Sequence, residues 1–127
     1  MRDLASNIGV VAAVAPAVLT ATNTSAAIDL QGFDAAAVVI NTGAIAASGN
    51  FTPKLTECDT SDGTFTDVAA ADLVGTFPTA LAAASVYKVS YVGGKRYIKT
   101  VLTLNSGTSI AAGAVVIKGH ATQAPVA

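Results

Sequence analysis

The chain has no tryptophan, one cysteine, one histidine and one methionine among its 127 residues. The lone Cys58 cannot close an internal disulfide, so no disulfide framework holds this fold. A reducing assembly site such as the cytosol is compatible with that usage. The lone His120 excludes a multi-histidine metal site within one chain. Charged residues make up 12% of the sequence, about half the ~25% of an average soluble domain. So little charge suits an exterior that neighbouring subunits cover, and it also suits an alanine- and threonine-rich secreted domain. Acid is missing altogether after Asp72, whereas Lys88, Lys95, Arg96, Lys99 and Lys118 all lie beyond it. Folded together, two such parts predict a molecule with an acidic and a basic side, suited to oriented contacts. Five scattered cations do not make the dense basic stripe that nucleic acid requires, so no nucleic-acid partner is expected. The longest N-terminal apolar run, residues 8–19, is too short to cross a bilayer, which takes about 20 residues, and no membrane partner is expected either.

What is present is β pattern. Residues 85–104, SVYKVSYVGGKRYIKTVLTL, are rich in valine, isoleucine, tyrosine and threonine, which suit a pleated, half-buried surface. Gly93-Gly94 between the two runs predicts a hairpin turn, because primed turns need positive φ and glycine reaches it without strain. This register sets Val92 against Lys95, Tyr91 against Arg96 and Val89 against Ile98. One face then carries Tyr87, Val89, Tyr91, Ile98 and Leu102 toward the core. The other carries Lys88, Tyr97 and Lys99, with the two lysines opposed, an arrangement that costs stability unless water or an acidic partner covers it. A slip of one residue would exchange the faces.

The remaining chain reads as shorter elements around that hairpin. Residues 1–24 form an extended N-terminal arm or first strand; Asp3 offsets Arg2 and Pro16 interrupts the apolar run, which argues against a signal peptide. Residues 25–127 form one domain, as the length suggests. Strands are expected at 26–30, 35–40, 51–58 and 114–118, with Pro53 marking an edge position. Residues 67–73 and 78–84 are the places for short helical turns, with Thr66 or Asp67 as a cap and Pro78 in a first turn. The fold class is therefore mainly β, a single-domain antiparallel β-barrel or β-sandwich.

Chemistry finds little purchase. Cys58 and His120 could pair as nucleophile and base, but no nucleophile motif surrounds them. Residues 59–65, DTSDGTF, lack the twelve-position pattern and closing glutamate of a calcium loop, and turn formation explains their aspartates and glycine. Gly93-Gly94-Lys95 lacks both the earlier glycine and the following hydroxyl residue of a phosphate loop. No catalytic residue, cofactor or metal ligand is expected.

Three segments carry a resemblance. IDLQGFD (28–34) leads into AVVI (37–40), DLVG (72–75) follows, and then YVGGKRYI (91–98); VIKGH (116–120) closes the series. Over roughly residues 25–125 the chain resembles small structural proteins of tailed bacteriophages, encoded beside the major capsid protein. The resemblance implies a non-enzymatic head decoration, or cement, protein on the outer surface of the capsid, assembled in the host cytoplasm. Its implied partners are the major capsid protein and itself, as a trimer in preference to a dimer. Lys88, Lys95, Arg96, Tyr97 and Lys99 are the expected contact residues. A tail or neck component, and a secreted bacterial β-domain for adhesion or carbohydrate binding, are the competing readings.

Overall fold

Two runs built almost wholly from alanine, valine and isoleucine, residues 35–40 and 111–117, lie side by side at the centre of one sheet. They belong to the two longest strands of the computed structural model, which describes residues 3–122. The first two residues of the expected arm, and 123–127 of the domain, lie outside the described residues.

In chain order the strands are β1 (Gly9–Leu19), β2 (Asn23–Thr24), β3 (Ile28–Asp29), β4 (Phe33–Ala46), β5 (Asn50–Cys58), β6 (Thr66–Asp67), β7 (Leu73–Val74), β8 (Val86–Tyr91), β9 (Tyr97–Ser106) and β10 (Ser109–Ala121). They form two antiparallel sheets. The front sheet has the order β1-β10-β4-β8-β7; the back sheet has β2-β9-β5-β6, with β3 also on β9. Facing each other, the sheets make a sandwich; no barrel closes. Alternate side chains meet between them, because successive residues of a strand point to opposite faces. Val38, Ile40, Ile110 and Val116 from the front meet Phe51, Leu55, Ile98 and Leu102 from the back, all essentially without exposure. Each such side chain contributes about 1.5–3 kcal/mol by leaving water.

The expected hairpin over 85–104 does not form. β8 pairs with β4 and β7 in the front sheet, while β9 pairs with β5, β2 and β3 in the back sheet. Residues 92–96 carry the chain from one sheet to the other. Gly93 and Gly94 do not take positive φ, so they make no primed turn. Gly93 serves a different need: a Cβ there would lie 2.5–2.6 Å from the Tyr91 ring, so the backbone passes over the tyrosine only as glycine. Two period-two strands with one apolar face each satisfy that face equally well side by side or across a core, and here they lie across it.

Of the two expected helical turns, the first is present in shortened form and the second is not. In 67–73 the helical part is one 3-10 turn, Ala70–Asp72, between the short strands β6 and β7. Residues 78–84 are not helical, because their backbone groups are held by neighbours. The Leu81 N–H donates to the Phe51 carbonyl at 2.9 Å, and the Ala84 N–H to the Gly43 carbonyl at 2.9 Å. The Thr42 hydroxyl donates to the Ala82 carbonyl at 2.5 Å and accepts from the Ser85 N–H at 2.9 Å. Buried Leu81 thus caps one end of the sandwich on a segment of bends and a turn. A second 3-10 turn, Ala5–Asn7, precedes β1.

β1, the expected arm or first strand, is a strand that pairs with β10 from Gly9 to Leu19 and forms an edge of the front sheet. Register shifts on either side of Val14 interrupt its ladder, and Pro16 lies at the second of them. Both features blunt an exposed edge.

Candidate functional site

The two outer faces of the sandwich differ in kind. On the back sheet the outward positions of β5 and β9 are Thr52, Lys54, Thr56 and Cys58 beside Thr103, Val101, Lys99 and Tyr97. Charge there is paired or stacked. The Lys54 ammonium lies 3.0 Å from an Asp67 carboxylate oxygen, and the Lys99 ammonium 4.3 Å from the centre of the Phe65 ring. This is a largely polar sheet face, with Thr56 and Val101 buried at its middle.

On the front sheet the outward rows run Val10–Ile117–Ala37–Ser90, then Ala12–Val115–Val39–Lys88, then Gly113–Asn41–Val86, across β1, β10, β4 and β8. Lys88 is the only charged residue in these rows. Val10, Val18 and Val86 stand 59%, 66% and 68% exposed. Between β1, β10 and β4 the small side chains of Ala17, Gly43, Ala111 and Gly113 leave a shallow apolar hollow of about 690 Å³. A second hollow, about 430 Å³, lies at the other end against Leu4, Ile8, Ala37 and Ile117. The runs 35–40 of β4 and 111–117 of β10 are apolar on both sides, a pattern found where strands are covered on both faces, yet among the described residues only one other sheet is there to cover them.

The five expected contact residues are not brought together. Lys88 stands on the front outer face; Tyr97 and Lys99 stand on the back. The opposed Lys88–Lys99 pair therefore does not exist, because the hairpin that would have created it does not. Lys95 and Arg96 lie in the crossing between sheets, each engaged with an acid from earlier in the chain. The Lys95 ammonium meets Asp59 at 3.0 Å. The Arg96 Nε and Nη2 each donate to Asp29 at 2.9 Å, and its guanidinium lies 5.0 Å from the centre of the Tyr97 ring. The Arg96 bond holds the Asp29 carboxyl down at about 2, with the Gln31 backbone N–H also lowering it and burial opposing. The acid-rich and acid-free parts of the sequence are thus interleaved in space through these pairs, and they do not form two separate sides.

A polar clasp joins the sheets at the same corner. The Tyr91 hydroxyl on β8 donates to a Glu57 carboxylate oxygen on β5 at 3.0 Å and accepts from the Lys95 N–H at 3.0 Å. Burial, reinforced by Glu57, pushes the Tyr91 phenol up to about 12. A phenol so held stays neutral and is a fastener, not an acid–base group. Cys58 and His120 are not neighbours in a sheet either: Cys58 is on β5 in the back sheet and His120 near the end of β10 in the front sheet. Among the described residues no group of three or more His, Cys, Asp and Glu side chains could hold a metal ion.

Apart from Lys88, the apolar front face lies outside the expected contact residues, which are basic or aromatic. Its signal was nevertheless present, in the failure of residues 35–40 and 111–117 to alternate between apolar and polar.

No protein-family model matches the chain, and no curated protein matches it. Among solved structures it is similar to the PBSX exported protein XepA, at 15% identity and a TM-score of 0.60, over 100% of this chain and 41% of that one. The chain thus spans less than half the length of XepA. It is also similar to the SPBc2 prophage-derived protein YomS, at 14% identity and a TM-score of 0.52, over 88% of this chain and 92% of that one. At these identities the likeness is one of fold: the sandwich is shared with proteins of prophage origin.

Proposed function

We propose that the chain is a structural component of a phage particle, and specifically a head decoration protein that bridges major capsid protein subunits without enzymatic activity. The observation that carries this reading is the uncovered front face. A sheet apolar on both sides, with a single charge in its outward rows, suits a protein that works inside an assembly. The prophage origin of the two structural neighbours and the sequence resemblance over residues 25–125 support the same reading. Lys88, on the front face, forms no salt bridge among the described residues. It supplies the electrostatic part of the contact with the shell, while several modest contacts at once raise avidity. Gold-labelled antibody against the chain, imaged on purified particles by electron microscopy, is expected to trace a regular lattice over the head. Label confined to one vertex would assign the chain to the tail or neck. Protein in the medium and absent from particles would assign it to the secreted class, and either result overturns decoration.

A further inference from the structure

We propose that the outer face of the front sheet seats a second copy of this chain, in a face-to-face dimer with two-fold symmetry. This concerns the same face that carries the decoration reading, assigns it to a second copy, and does not depend on where the protein sits on a particle.

Size is the first argument. Three strands read over about nine residues and β8 over its six, at about 4.8 Å spacing and ~3.3 Å per residue, give a plane of roughly 520 Å². Pairing two such faces buries roughly 1,050 Å² even before side-chain relief is counted, which just passes the ~1,000 Å² expected of a biological interface.

Charge is the second. A face with one cation in four strands asks for a partner equally poor in charge, and this face is itself such a surface. Position then selects the symmetry. Lys88 sits on β8, at the side of the sheet away from β1. A two-fold axis parallel to the strands, between β10 and β4, lays β8 of one copy over β1 of the other. The two lysines then stand at opposite rims, leaving Val39, Val115, Ala37 and Ile117 at the centre. An axis across the strands would stack β8 on β8 and oppose like charges, which is unfavourable. Apolar centre and polar rim are the usual anatomy of a protein interface.

The test is the mass of the purified chain. Analytical ultracentrifugation at micromolar concentration is expected to give twice the 12.5 kDa of one chain. Val115→Lys, at the centre of the face, is expected to halve that mass while keeping the wild-type circular dichroism spectrum. Thr103→Lys, on the back outer face, is expected to leave the dimer intact. Should Val115→Lys disturb the fold, Ala37→Lys on the neighbouring strand repeats the test. A monomeric wild type, a trimer, or a dimer indifferent to the front-face substitutions overturns the proposal, and none of these outcomes bears on whether the protein is found on phage heads.

Discussion

The Tyr91 hydroxyl and the Glu57 carboxylate meet at 3.0 Å across the mouth of the sandwich, tying β8 of the front sheet to β5 of the back. The same hydroxyl accepts the Lys95 N–H, so one phenol fastens both sheets and the segment that connects them.

Replacing Tyr91 with phenylalanine removes both bonds and keeps the ring. The expected loss is about 1–2 kcal/mol, read as a lower midpoint in thermal or urea denaturation. Alkali has a related effect. Because folding raises the Tyr91 pKa from 10.0 to about 12, the stability this group contributes is fully present below pH 10. It is lost as pH rises toward 12, where the unfolded chain ionises first. A plot of stability against pH is expected to fall less steeply over that window in Tyr91→Phe than in the wild type.

The corner glycines are not equivalent. A Cβ at Gly93 would strike the Tyr91 ring, which the clasp prevents from moving aside, whereas a Cβ at Gly94 meets nothing within 4 Å. Gly93→Ala is expected to cost about 1–3 kcal/mol, the range for overpacking. Gly94→Ala is expected to be neutral or stabilising by up to about 1 kcal/mol, because it restricts the unfolded chain. Chemical denaturation of the two variants side by side checks the difference.

Acid should loosen the other side of the crossing. The Asp29 carboxyl, held at about 2 by Arg96 against an ordinary 3.8, contributes stability that is present above pH 3.8. That contribution disappears as pH falls toward 2, since the unfolded chain takes up the proton first. Asp29→Asn is expected to lose it at neutral pH and to show a shallower acid limb in a pH series of denaturation midpoints.

Thr100 lies fully buried on β9, and its hydroxyl has no hydrogen-bond partner among the described residues. Thr100→Val keeps the shape and removes the unmet polar group, so it is expected to stabilise the protein by about 1 kcal/mol. The urea midpoint should rise with an unchanged slope.

Much of the strand content was legible before any tertiary contact was known. The alternation in 51–58, with Pro53 on a stretch of β5 that β6 leaves unpaired, and the apolar runs at 35–40 and 114–118 all lie within real strands. The contact cluster was less legible. Lys88 and Lys99 would be neighbours only if Gly93-Gly94 made a hairpin turn, and it makes none. The acids that occupy Lys95 and Arg96 come from 36 and 67 residues away, a distance over which pattern carries no information. The short elements around Thr66 and Leu81 are not helical, because their backbone N–H groups bond to Leu55, Phe51 and Gly43, all remote in sequence and invisible to local pattern.

From the sequence alone come the β class, the alternate inward side chains, the scarcity of charge and the double-sided apolar character of β4 and β10. All of these follow from residue chemistry and a period of two. Only tertiary structure decided that β8 and β9 face each other across a core, that acids and bases interleave at the corner, and that no second layer of described residues covers one outer face. The reason is physical: a strand's pattern states which of its sides avoids water, while its backbone hydrogen bonds, the same for every residue, do not state which neighbour it will have.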